Sequence, residues 1–270
     1  MNILYLAWHD SIFHRWFPIG RLRHLPEQPL YTYEFLYLQG FQKAQEQSGL
    51  CPLPSFPQIN ETYVSDELFP FFANRVMRRT RPDFKEHLGW LNIDESRADP
   101  LPLLARTGGG KESDLMEMFA PPEQDADGLY RFRFFSHKTR LLPVSDRERL
   151  LNLSPGERLR IQQDMQTLDI PGSLLLQTEH ESKGQWHTTG YCPRFLTEEI
   201  MLVLLDKRGD VSVEAVEVRV ERINPPPAPM QFRMLCSLTV QPPLRQRPFQ
   251  GEEYNLLGKE VEEEQLQTIQ

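Results

Sequence analysis

The pattern of apolar and polar positions opens with a β-prone run at 3–8, Ile-Leu-Tyr-Leu-Ala-Trp, closed by His9-Asp10-Ser11. Two further runs follow, Arg15-Trp-Phe-Pro-Ile-Gly-Arg-Leu22 and Leu30-Tyr-Thr-Tyr-Glu-Phe-Leu-Tyr37. Both are aromatic-rich, the second alternates in part, and together they predict strands of a small antiparallel sheet. A short helix is expected over 41–47, ended by Ser48-Gly49. Three prolines in Cys51-Pro-Leu-Pro-Ser-Phe-Pro57 force an extended segment. Ser65, with Asp66 and Glu67 in a first turn, predicts a helix over 65–77, with Arg78-Arg79-Thr80-Arg81 at its C-terminal end. Pro82 starts another helix over 82–91. A third is expected over 99–105.

The pattern changes after a glycine loop at 106–114 and a polar, acidic stretch at 121–128. Strands dominate from there: Tyr130-Arg-Phe-Arg-Phe-Phe135, Leu159-Arg-Ile-Gln-Gln163, Ser173-Leu-Leu-Leu-Gln-Thr178, and Thr189-Gly-Tyr-Cys-Pro-Arg-Phe-Leu196 leading into a helix over 197–205. The run 211–223 alternates through Val211, Val213, Ala215 and Glu217, then through Val216, Val218 and Val220, a change of phase that predicts a bulge or a twisted long strand, and a last strand is expected over 234–240. The organisation read from this is an α+β module over 1–120, a β-rich domain over 129–240, and a loosely attached acidic tail over 241–270.

Composition narrows the class. The chain has 270 residues, 39% hydrophobic and 25% charged, with 16 Phe, 8 Tyr and 4 Trp, which is enough to build a folded core. A net charge of −8 argues against a non-specific nucleic-acid coat, while leaving room for a small basic site on an acidic body. Three cysteines, Cys51, Cys192 and Cys236, lack C-x-x-C spacing, so neither a disulfide framework nor a zinc knuckle is expected and a cytoplasmic setting fits. The first residues lack the basic start of a secretory signal, and no run approaches the ~20 apolar residues of a membrane span.

Catalytic patterns do not assemble. Thr107-Gly-Gly-Gly-Lys-Glu-Ser113 has Glu112 where a P-loop needs Ser or Thr after its lysine, and no strand is expected before it. The seven histidines form no H-x-x-x-H pair on an expected helix, and Ser136 and His137, adjacent in a strand, point to opposite faces. No cofactor, metal or enzymatic activity is expected. The segment 130–140 is different: it holds Arg131, Arg133, Lys138 and Arg140 with no acidic residue. In a strand, Arg131 and Arg133 share one face and Phe132 and Phe134 the other, with Phe135 following on the arginine face unless a bulge intervenes. Such a face suits single-stranded nucleic acid, a ring stacking on a base while arginine meets phosphate. It is equally the pattern of an ordinary amphipathic strand.

Three segments in order, Arg133-Phe-Phe-Ser-His137, Leu153-Ser-Pro-Gly-Glu-Arg-Leu159 followed by Arg160-Ile-Gln-Gln-Asp164, and Thr189-Gly-Tyr-Cys-Pro-Arg-Phe-Leu196, resemble the HIRAN family over 129–224, about a third of the chain. Gly190-Tyr191 with Pro193-Arg194 is the most specific part. The resemblance implies an OB/SH3-like β-barrel with one inserted helix that binds single-stranded DNA or a DNA 3′ end. By position it implies that Arg133, Phe134 and Phe135 contact a nucleotide and that Tyr191 and Arg194 lie near phosphates. Where the family has Asn-Pro-Tyr-Asp-x-Asn-Ala, this chain has Thr167-Leu-Asp-Ile-Pro-Gly-Ser173, with Asp169 one place before the family's acidic position. HIRAN domains are often fused to ATPases, so a helicase or nuclease partner is implied.

The N-terminal part is weakly similar to the N-terminal subdomain of HipA-type kinases, through Ile19-Gly-Arg-Leu22, Tyr33-Glu-Phe-Leu-Tyr37, Leu68-Phe-Pro-Phe-Phe-Ala-Asn74 and Leu103-Leu-Ala-Arg-Thr-Gly108. That similarity implies an antitoxin-like regulatory module with a kinase-like toxin as partner. The expected function is non-enzymatic nucleic-acid binding; the alternative is a protein-interaction module.

Overall fold

A computed structural model gives the fold and describes residues 2–26, 32–111, 114–164, 173–179, 186–204, 216–240 and 248–260. In chain order the strands are β1 (Ile3–Asp10), β2 (Arg15–His24), β3 (Tyr33–Tyr37), β4 (Tyr63–Ser65), β5 (Met116–Phe119), β6 (Glu123–Gln124), β7 (Tyr130–Phe135), β8 (Arg158–Gln163), β9 (Leu174–Glu179), β10 (Trp186–Tyr191), β11 (Val216–Ile223) and β12 (Met234–Val240). The helices are α1 (Gln39–Ser48), α2 (Pro70–Ala73), α3 (Phe84–Leu91), α4 (Pro100–Thr107), α5 (Val144–Leu151) and α6 (Arg194–Leu204). The fold is mixed α+β with two antiparallel sheets and few helices.

Two compact units divide the chain, and both are discontinuous. The first comprises Met1–Met77, Asp99–Pro121 and Phe249–Gln270; the second comprises Arg78–Ala98 and Pro122–Pro248. Contiguous blocks over 1–120 and 129–240 were expected from sequence, where no local signal marks the helix over 84–91 as belonging with later strands.

The first unit holds a five-stranded sheet in the order β4-β3-β2-β1-β5. All of β3 is buried, because it lies between β4 and β2 beneath the proline-rich segment. Tyr37 organises that segment: its hydroxyl donates to the Phe56 carbonyl at 2.8 Å and accepts from the Leu53 amide at 2.7 Å. Phe35 and Phe56 stack at 4.1 Å. The fully buried Glu34 carboxylate is matched by Arg23 at 2.9 Å and Arg21 at 3.5 Å, as a buried charge requires.

Two expectations are corrected in this unit. The helix over 65–77 is only α2, four residues long. Ser65 instead ends β4, and Pro70 sets the helix start, since proline fits only its first turn. The loosely attached tail is, over 249–260, part of the fold. Phe249 is 2% exposed and packs on Phe119 at 5.0 Å, the Leu257 amide donates to the Tyr37 carbonyl at 3.0 Å, and Glu260 pairs with Arg21 at 2.6 Å. Glu260 thus answers Arg21 and Arg23 of β2, and Glu252 and Glu253 answer Lys43 of α1, pairings that composition does not reveal.

The second unit holds a seven-stranded sheet, β10-β9-β8-β11-β12-β7-β6. Its apolar face is built from Phe132, Phe134, Leu159, Leu176, Val218, Val220, Cys236 and Leu238, all buried at alternating positions. β11 has a register shift between Val220 and Arg222, whereas the phase change read from sequence begins at 211–215, outside the described residues. α3 belongs here: His87 packs edge-on to Phe232 at 5.5 Å, and the Asn224 amide donates to the Trp90 carbonyl at 2.8 Å. Both α5 and α6 interrupt the strands, where one inserted helix was expected. Strand pairing among the described residues does not close the sheet. A two-bond bridge does link its flanks: the His137 amide donates to Tyr191 at 2.9 Å and the Tyr191 amide to His137 at 3.1 Å.

Candidate nucleic-acid interface

β7 divides its side chains as the alternation predicts. Phe132 and Phe134 are buried, Arg131 and Arg133 exposed. Arg133 is ion-paired to Glu221 at 2.9 Å and Arg131 to Asp125 at 3.1 Å. Phe135 keeps the register of its neighbours, opposite Leu235, so it shares the arginine face without a bulge. It is nevertheless only 5% exposed, because Phe232 lies over it at 5.2 Å. Phe134 and Phe135, expected from the resemblance to contact a nucleotide, are therefore both core side chains with no ring face presented to solvent.

The other carried-over residues meet at the bridge. In β10, Thr188 lies opposite Gln177 and Gly190 opposite Leu176, so one extra residue, Thr189, is inserted as a bulge. The bulge changes the parity of the strand. Trp186, Thr188 and Tyr191 lie on the solvent side, while Thr189 and Gly190 are buried. Gly190 carries this bend at φ +132°; a Cβ there would lie 1.9 Å from the Ser136 hydroxyl and 2.8 Å from the His137 carbonyl. Glycine thus permits β10 to approach the end of β7 closely enough to form the bridge.

Around Tyr191 gather side chains from four segments. Its hydroxyl donates to Asp164 at 3.3 Å, and the Lys138 ammonium lies 5.2 Å from its ring centroid. Arg194, at the start of α6, donates to the Ser173 hydroxyl at 3.2 Å, and the Asp164 amide donates to the Ser173 carbonyl at 2.7 Å. Expected 197–205, the helix begins earlier, at Arg194, directly after Pro193. Tyr191 and Arg194 are thus brought together, with Lys138, Asp164 and Ser173 beside them. Arg133 lies on β7, before the bridge. Asp169 lies outside the described residues. His137, beneath Lys138, is held neutral, its pKa pushed down to about 4 by burial and by the adjacent ammonium.

Cross-strand register extends the solvent face of Tyr191 over the sheet. Tyr191 is level with Leu175 and Gln162, Thr188 with Gln177 and Arg160, and Arg219 with Arg158 and Ser237. Trp186 stands at the far end of β10, 41% exposed, with the Arg160 guanidinium 4.8 Å from its ring centroid. Sequence reasoning gave no site role to Arg160, Asp164 and Ser173, which lie within the segments compared with the family, and missed Trp186 and α5. Asp146 in the first turn of α5 binds His187 at 2.7 Å and the Thr188 amide at 3.2 Å, which fixes the start of β10. Pro143 ahead of Asp146, with Arg149 in the last turn, was the available helix signal.

Among the described residues no His, Cys, Asp or Glu group is arranged to hold a metal ion, and no helix is long and apolar enough to cross a membrane. Comparison with protein-family models, curated proteins and solved structures finds no significant match to this chain.

Proposed function

We propose that the second unit is a HIRAN-like barrel that binds single-stranded DNA at a free 3′ end, without catalysis. The observation that carries this reading is the polar cluster at the His137–Tyr191 bridge. There the tyrosine expected from the family motif lies beside Lys138, and Arg194 anchors on Ser173 next to Asp164. The bridge supports a barrel, since it links the β7 and β10 flanks of a sheet that is otherwise open. Lys138 and Arg194 would meet phosphates, Tyr191 would stack on the terminal base, and Asp164 would accept from a sugar hydroxyl. Arg133 would exchange Glu221 for a phosphate further along. The core placement of Phe134 and Phe135 makes them supports for this site. A helicase or nuclease encoded on another chain would supply any ATP-driven or cleavage step.

The test is fluorescence anisotropy with a 5′-labelled strand carrying a 3′-hydroxyl, and with the same strand carrying a 3′-phosphate, at two salt concentrations. Binding that weakens with salt and with the 3′-phosphate, and that falls in Arg194→Ala and Lys138→Ala, supports the reading. Absence of binding at low salt refutes it.

One observation favours a protein-interaction module instead. Ile12 and Phe13, at the tip of the β1–β2 hairpin, are 79% and 58% exposed. Such a tip suits insertion into a partner such as a kinase-like toxin. This reading predicts a stable complex that the Ile12→Ser, Phe13→Ser double variant loses.

A further inference from the structure

The residues carried over by resemblance account for one end of a strand. They leave unexplained an exposed tryptophan on the same face. Trp186 and Tyr191 share that face only because of the bulge at Thr189; without it they would point to opposite sides. Between them, β8 and β9 present Gln162, Arg160, Gln177 and the half-buried Leu175, level with β10 in register. Four-residue spacing after allowance for the bulge sets the two rings ~13 Å apart along the strand.

We infer that Trp186 and Arg160 form a second stacking platform, which receives a base of a single strand several nucleotides inward from the end held at Tyr191. This rests on the end-binding reading above. Several observations select nucleic acid as the occupant. Arg131, Arg133, Arg158 and Arg219 on this sheet face each have a carboxylate partner, Asp125, Glu221, Glu217 and Glu217. Arg160 instead lies over the indole ring, and no ion pair for it is found among the described residues. A cation lying over an exposed indole, with no carboxylate among the described residues taking its charge, suits a polyanion carrying flat bases. An apolar protein partner would leave that guanidinium buried without a counter-charge. The separation also fits: ~13 Å is about four steps of stacked strand at ~3.4 Å each, so one stacked oligonucleotide of about five or more nucleotides would reach both rings.

The experiment uses the full chain and two 5′-labelled oligothymidylates with free 3′ ends, one of about 4 nucleotides and one of about 10, lengths within the range a single OB-type surface covers. Wild type is expected to bind the longer strand more tightly. Trp186→Ala should lose roughly 5- to 100-fold on the longer strand, the range of base–aromatic stacking. The same variant should bind the shorter strand as wild type does. Trp186→Phe should keep most of the affinity, and Arg160→Gln should fall between. Quenching of tryptophan emission by the longer strand, absent in Trp186→Phe, reads the contact directly and serves if Trp186→Ala fails to fold. If Trp186→Ala binds both lengths like wild type while Arg194→Ala loses both, the second platform is overturned and end binding stands. If wild type binds neither length, both are overturned.

Discussion

Gly190→Ala is the sharpest test of how this unit is built. Two effects separate at that position. At φ +132° an alanine backbone is strained by ~1–3 kcal/mol wherever it occurs. The added Cβ would also lie 1.9 Å from the Ser136 hydroxyl and 2.8 Å from the His137 carbonyl. The hydroxyl can rotate away, with loss of its bond to the Thr189 carbonyl at 3.1 Å. The His137 carbonyl is backbone, and it accepts the Tyr191 amide, so it can retreat only by opening the bridge. That overpacking adds ~1–3 kcal/mol, for a total of ~2–6 kcal/mol. Gly156→Ala supplies the internal reference: its φ is +88° and nothing lies within 4 Å of the added Cβ, so only strain remains. Urea unfolding of both variants gives the difference, and amide exchange at Tyr191 reports the bridge itself. Gly190→Ala should be the more destabilised by at least ~1 kcal/mol, with early exchange at Tyr191. Adding Ser136→Ala should recover only part of the loss. Equal destabilisation of the two variants would refute the close approach of β10 to β7.

Further outcomes follow from burial and charge. In the unfolded chain His137 takes its proton near the ordinary histidine value of 6.5, but in the fold only near 4. Between those values the unfolded state binds more protons, so its contribution to stability is present above about pH 6.5 and is lost by up to ~3 kcal/mol as pH falls to about 4. His137→Gln should flatten a urea-midpoint profile over that window, and an unchanged slope would exclude His137 as its source. Phe249→Ala, which removes a ring only 2% exposed, should cost ~3–5 kcal/mol in the first unit. A cost below ~1 kcal/mol by thermal or urea unfolding would mean that the C-terminal segment does not pack there.

Local pattern determined much of the element list. Alternation at 130–135 set which side of β7 faces solvent, and the helix starts expected at Pro82 and Asp99 lie close to those observed. These features depend on residues near one another in sequence, through proline's fixed φ and the two-residue period of a strand. The family resemblance singled out Tyr191 and Arg194, which the fold does bring close to one another. It also singled out Phe134, which alternation sends to the apolar face, and Phe135, whose burial on the arginine face depends on Phe232, a residue distant in sequence. Nor could the glutamate-rich C-terminal segment be assigned from its composition, since its partners are Arg21 and Arg23 on β2. The site itself turns on one extra residue in β10. The sequence Trp-His-Thr-Thr-Gly-Tyr over 186–191 read as a regular strand would send Trp186 and Tyr191 to opposite faces. Only the approach of Gly190 to Ser136, a contact between strands 54 residues apart in the chain, inserts the bulge that sets both rings on the same side.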